Sequence, residues 1–301
     1  MMEVKNRESI NDVSIIGTLS QMEISEKSST VNGEKREFII GKLVIKVDQE
    51  VDGKIVENEI PVDAIANKLK SDGSPNAIYK SIQSWKDNFV SLAAADKPTD
   101  ASRVSINGKL GENIWIDTSG IARTNVFQVK TNFLNKAKSS DEEDRAEFEL
   151  TGVIGEIKDE TDKEGNDTGR IIIQFIVVGW NGKVDVINLI AESPAAVNHI
   201  RQNYNKGDTV GVSGIIRMTT KEIVIEEEQG FGPAKKRKKT TYTKELIITS
   251  GSHSGFDDDD AYDPDSVKVA LVERKEGIEK RIAKSKEKNK PSTTKKVDLG
   301  F

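Results

Sequence analysis

Two pairs of stretches in this sequence share one signature, a glycine set inside an otherwise alternating run of apolar and polar residues. Ser14-Ile15-Ile16-Gly17-Thr18-Leu19 returns as Glu149-Leu150-Thr151-Gly152-Val153-Ile154, and Arg103-Val104-Ser105-Ile106-Asn107-Gly108-Lys109-Leu110 returns as Thr209-Val210-Gly211-Val212-Ser213-Gly214-Ile215-Ile216. Strict alternation is the period of a half-buried β-strand. A glycine inside it permits the coil or bulge by which a strand bends around a small closed barrel.

The surrounding pattern repeats as well. Strands are predicted at 13–24, 35–48 and 54–64, with turns at Asn32-Gly33 and Asp52-Gly53. A helix over 74–95 follows, opened by Ser74 and Pro75 and striped by Ile78, Ile82, Trp85, Phe89 and Leu92. Strands at 103–116 and 124–133 close this half. The second half reads alike: strands at 148–157, 169–178 and 183–191, a helix from Ser193-Pro194 to about 204, then strands at 208–218 with 222–228, and 243–249. The prediction is a mainly β protein with domains at 1–140 and 141–252 and a flexible tail at 253–301 holding a helix over 265–288. Strand, strand, strand, helix, strand, strand is the order of the OB fold, so the fold class is two five-stranded OB barrels in tandem plus the tail. One extended β-sandwich is the alternative.

The chain of 301 residues has no Cys and only two His, His199 and His253, which excludes disulfides, thiolate metal sites and a cysteine nucleophile and leaves no His-based metal motif. No catalytic group, metal or cofactor is expected. No apolar run approaches membrane-spanning length, so no membrane partner and a cytoplasmic location are expected. The net charge is −5, all of it within residues 141–252, since each flank sums to zero. That total argues against a uniformly basic coat and leaves room for a local basic track.

The run from Val104 to Leu110, followed by Trp115, Asp117, Gly120 and Arg123, resembles the fourth-strand region of bacterial and phage single-stranded DNA-binding proteins, which show an apolar-x-apolar-x-Gly-x-Leu strand and then Trp-x-Asp-x-x-Gly-x-x-Arg at a hairpin. The second half shares the Gly strand and Tyr242-Thr243-Lys244-Glu245-Leu246 but lacks the Trp and Asp. The resemblance implies a non-enzymatic role coating single strands in replication, recombination and repair, in a phage or mobile element, with RNA as an open alternative ligand. It also implies association of copies and a tail that recruits replication or recombination proteins. Here the acidic cluster Asp257, Asp258, Asp259 and Asp260 is internal and the chain ends at Phe301 without an acidic tip. An adaptor whose barrels bind other proteins is the competing function.

Binding a single strand without reading its sequence requires cations along a phosphate track and flat side chains on which bases stack. The richest source of both is the predicted loop 229–242, with Phe231, Lys235, Lys236, Arg237, Lys238, Lys239 and Tyr242. Trp115 is a candidate for stacking with a core role as the alternative: Ile114 and Ile116 point to the opposite sheet face, and if those two fill the barrel, Trp115 faces out toward ligand. Trp180 is predicted at an exposed hairpin tip, and Trp85 and Phe89 in the core. Candidate cations are Lys42, Lys46, Arg103, Lys109 and Arg123 in the first half and Arg217 in the second.

Overall fold

The computed structural model describes residues 7–252 and 261–288, except 32, 52, 118, 120, 139–142 and 228–234. The first half is built from long antiparallel hairpins, β1 (Asn11–Val31), β2 (Glu34–Val51) and β3 (Lys54–Asn67), followed by α1 (Ala77–Asn88), β4 (Arg103–Ile116) and β5 (Ala122–Thr131). A two-residue strand, β6 (Asn135–Lys136), pairs with β4. The second half runs β7 (Arg145–Thr161), β8 (Asp167–Val178), β9 (Val184–Ala191), α2 (Pro194–Asn203), β10 (Thr209–Glu227) and β11 (Lys235–Gly251). In each half the pairing closes on itself. β3 pairs parallel with β5 and β4 returns to β1, just as β9 pairs parallel with β11 and β10 returns to β7. These are two five-stranded OB-type barrels, each with its helix between the third and fourth strands.

The glycines of the sequence signature sit where closure is tightest. A β-carbon on Gly17 would stand 2.3 Å from the carbonyl oxygen of Lys46, and one on Gly152 would stand 2.3 Å from that of Ile176. Gly108 and Gly214 meet the carbonyls of Lys130 and Ile247 in the same way, at 2.6 and 1.9 Å. Equivalent glycines therefore let the first strand cross under the second, and the fourth under the fifth, in both barrels. The alternating partners point inward: Ile15, Leu19, Val104 and Ile106 in one barrel and Phe148, Leu150, Val210 and Val212 in the other are buried in a single continuous apolar cluster.

The barrels are joined edge to edge. β1 and β7 pair antiparallel from Asn11↔Leu150 to Ile16↔Arg145, so equivalent first strands face each other. Across this seam β3 also touches β10, where buried Asn58 accepts a hydrogen bond from the Met218 amide at 2.9 Å.

Local departures from the predicted elements have identifiable causes. The first helix starts at Ala77, not at Ser74, because the Asp72 carboxylate takes both the amide and the hydroxyl of Ser74 in a turn, leaving Asn76 to cap the helix through the Ile78 amide. It stops after Asn88, and the following chain turns back to hydrogen-bond through Leu92 and Ala93 to Leu19 and Ser20. Trp85 and Phe89 are buried. The second helix is capped by Ser193 as predicted. β10 runs unbroken through the position where two strands are predicted. β11 starts at Lys235, so the predicted loop is a strand from 235 onward: the β-branched run Ile223-Val224-Ile225 supplies a partner that carries the pairing out to Glu227↔Lys235.

The helix predicted in the tail is α3 (Pro264–Lys288). Tyr262 and Val267 are buried against Val153, Ile176, Val178 and Val184 of the second barrel, with Ala270 and Leu271 packed beside them. The Tyr262 hydroxyl also bonds Ser9 at 2.9 Å, and Ser9 exchanges backbone and side-chain hydrogen bonds with Val178. Burial of this apolar group contributes on the order of 4 kcal/mol, so the start of α3 is an integral part of the barrel wall.

Candidate nucleic-acid interface

Three aromatic side chains stand out of the barrels on turns and hairpins. Trp115, on β4 opposite Arg123 of β5, is 41% exposed. Its hairpin is clamped by Asp117, whose carboxylate accepts the amides of Ser119 and Ile121 at 2.9 Å each and the Arg123 Nε at 2.9 Å. These hydrogen bonds, the Ile121 amide foremost and Arg123 next, hold the Asp117 carboxyl below the usual carboxylate range. The Asp and Arg of the Trp-x-Asp-x-x-Gly-x-x-Arg run thus fix the hairpin that presents the Trp. Arg123 remains more than half exposed despite the pairing.

Trp180 opens a tight turn between β8 and β9, closed by a Gly179 amide to Lys183 carbonyl bond of 2.7 Å. Asn181 and Gly182 both have positive φ, 58° and 73°, the backbone of a tight type I′ turn that suits this dipeptide. The turn leaves Trp180 74% exposed. Tyr242, on β11 where the β10–β11 hairpin leaves the barrel, is 77% exposed. On that hairpin the register sets Lys235 and Lys236 opposite Glu227 and Glu226, and Arg237, Lys238 and Lys239 opposite Ile225, Val224 and Ile223. Phe231, Asp257, Asp258, Asp259, Asp260 and Phe301 lie outside the described residues.

The predicted cations fall into two groups. Arg103 is held by Asp144 at 2.5 Å, and that same carboxylate accepts the Asp48 amide. Arg217 makes a two-pronged contact with Glu192 at 2.6 and 2.9 Å and reaches Glu245 at 3.6 Å; the Arg217 hydrogen bonds hold the Glu192 carboxyl below its usual range. Lys46 lies 3.7 Å from Asp48 and 3.5 Å from Glu57. These three tie strands together. Lys42 and Lys109 stay exposed, with no ion-pair partner among the described residues. Lys42 stands in register with Glu23 and Asp63, so the outer face of β2 and β3 is rich in carboxylates. Lys109 and Lys130 line an open cleft of about 970 Å³ over the β1–β7 seam, shared with Asp12, Glu147, Glu149 and the exposed Phe133. With three carboxylates to two ammonium groups, that cleft is a poor place for phosphate.

One cluster has no counterpart in the predicted site. Glu112 of β4, 6% exposed, takes a two-pronged ion pair from Arg274 of α3 and lies near the Val186 amide of β9. Asp185 of β9 lies beside it, and burial pushes its carboxyl up against the opposing pull of Lys130. Arg281 donates to the Ile114 carbonyl at 2.5 Å. α3 therefore joins the second barrel to the hairpin that carries Trp115. The partners are 162 and 167 residues apart in sequence. A long basic helix was the only sequence signal of this junction, and nothing in it named the acceptors.

Among the described residues no group of three or more His, Asp and Glu side chains is placed to hold a metal ion, and no helix is long and apolar enough to cross a membrane.

No curated protein matches the chain. Among solved structures it is similar to the wild-type single-stranded DNA-binding protein from Thermus aquaticus, at 13% identity and a TM-score of 0.48, over 83% of this chain and 96% of that one. A deletion variant of the same protein matches at 12% identity and a TM-score of 0.47, over 83% and 97%. The YorF family model matches residues 9–285, nearly the whole described chain, and the protein belongs to the YorF family.

Proposed function

We propose that this protein binds single-stranded DNA without reading its sequence and acts in replication, recombination and repair, a role suited to a phage or mobile element. The observation that carries the reading is the exposure of Trp115, Trp180 and Tyr242 on turns and hairpins projecting from OB-type barrels. Large aromatics are costly to leave in water, and each base offers a π-face on which such a ring can stack, worth about 1–3 kcal/mol per base. Tyr242 lies three residues beyond a run of five cations on the same strand, which brings stacking and phosphate neutralisation together on one hairpin. Arg123 beside Trp115 and Lys183 beside Trp180 repeat that combination at the other two rings.

Lys42 and Lys109 belong to the same proposed surface as weaker contributors, given their carboxylate neighbours, whereas Arg103, Arg217 and Lys46 serve it by holding the strands. Asp257–Asp260 and Phe301 are proposed to engage replication or recombination proteins. The matching glycine and strand patterns of the two halves support an origin by duplication, with domains at 1–140 and 141–252.

The test is fluorescence anisotropy of a labelled oligo-dT and of a duplex of equal length, across a salt series. Tight single-strand binding that weakens linearly in log–log against salt is expected, with the duplex bound far more weakly. Absence of oligo-dT binding, or a preference for the duplex, overturns the reading.

A further inference from the structure

We propose that the second half of α3 is a wall of the nucleic-acid surface, its exposed lysines contacting the phosphates of a single strand whose bases stack on the neighbouring tryptophans. The inference rests on the single-strand-binding reading above and deepens it. The helix has two unlike parts. Its start is anchored by Tyr262, Val267 and Leu271 on the outer face of β8 and β9, over Ile176, Val178 and Val184. That sheet face is apolar and covered, so a strand of DNA crossing the second barrel there meets the helix and not the sheet.

Beyond the anchor the composition changes. From Arg274 to Lys286 there are six cations and two carboxylates, Glu276 and Glu279. Arg274 and Arg281 are used inward, on Glu112 and on the Ile114 carbonyl, which fixes the helix against the Trp115 hairpin. Lys275, Lys280, Lys284 and Lys286 are exposed, and among the described residues only Lys280 lies within ion-pair distance of a carboxylate, Glu276 at 3.7 Å. At 1.5 Å rise per residue, the eleven steps from Lys275 to Lys286 span about 16 Å, enough to follow several phosphates of an extended strand.

The elements that carry both tryptophans adjoin this helix. α3 packs against the turn that holds Trp180 and against β4, where Arg281 grips the residue next to Trp115. Exposed lysines on two sides of the helix, Lys275 with Lys286 and Lys280 with Lys284, thus lie near the elements that carry two exposed rings, the pairing that single-strand binding requires. A role confined to holding the barrels together accounts for Arg274 and Arg281 but leaves four exposed lysines against so few carboxylates without a use.

The experiment is oligo-dT binding by the full-length protein over a salt series, comparing wild type with the quadruple variant Lys275→Gln, Lys280→Gln, Lys284→Gln, Lys286→Gln and with the corresponding quadruple Lys→Arg variant. The Gln variant is expected to bind roughly tenfold more weakly at low salt, with the slope of log K against log salt reduced in magnitude by about 1.4 to 2.8, as for two to four lost phosphate contacts. The Arg variant is expected to keep the wild-type slope. A Gln variant with wild-type affinity and slope overturns the helix assignment while single-strand binding stands. A wild-type protein that fails to bind oligo-dT removes both.

Discussion

At Gly214 the fourth strand of the second barrel passes so close to the fifth that a β-carbon would lie 1.9 Å from a backbone oxygen. Backbone cannot swing aside as a side chain can, so Gly214→Ala is expected to destabilise the protein by about 1–3 kcal/mol or more, read as a lower urea midpoint. Gly277→Ala, in α3 with nothing near its β-carbon, is the counterpart and is expected to stabilise the helix by up to about 1 kcal/mol. Asp117 supplies a pH prediction. Its folded-state carboxyl titrates below the ordinary range, so its hold on the hairpin is fully present above the unfolded value near ~3.9 and is lost as pH falls through the lowered folded value. Trp115 emission is expected to stay constant from neutral pH to about 4 and to shift below that, whereas Asp117→Asn shows the altered emission already at neutral pH. Emission that is the same in both proteins at pH 7 contradicts the clamp. The glycines were legible in the sequence because each interrupts a strict alternation. The partners of Arg103 and Arg217 were not, since Asp144 and Glu192 lie 41 and 25 residues away and come together only through strand pairing.

Among the elements, the strand order and the second helix cap could be read from local pattern, while the exact reach of the hairpins could not. A run of five like charges resembles a solvated loop. Pairing with the β-branched residues of β10 overrides that tendency and makes it a strand. The register implies a difference within the run. The backbone register pairs Lys235 with Glu227 and Lys236 with Glu226, positions at which opposite charges attract, and pairs Arg237, Lys238 and Lys239 with uncharged residues. Replacing Arg237, Lys238 and Lys239 together with Gln is therefore expected to lower oligo-dT affinity and the salt slope more than replacing Lys235 and Lys236. An equal or reversed effect contradicts the register argument. Ser74 shows the same lesson in a helix: its type and its Pro neighbour suit a cap, but Asp72 two residues earlier claims its amide and hydroxyl.

For the whole molecule, the doubled pattern led to two barrels, but not to the way they join. The β1–β7 seam, the Asn58–Met218 hydrogen bond and the α3 clasp on Glu112 are all long-range contacts without a local signature. The net charge of −5 likewise divides by place. Carboxylates crowd the outer face of β2 and β3 and the cleft over the seam, whereas cations accompany the exposed rings on the β10–β11 hairpin, beside Trp115 and Trp180, and along α3. The central claim is that these rings stack on the bases of a single strand, and tryptophan fluorescence during oligo-dT titration tests it most directly. Trp85 is buried and serves as an internal reference. Wild type is expected to be quenched in a saturable way, with Trp115→Leu and Trp180→Leu each losing part of the quench and binding about five- to tenfold more weakly or worse, as for one lost stacking contact. Unchanged fluorescence at saturating oligo-dT, or full quench and affinity in both variants, contradicts the account.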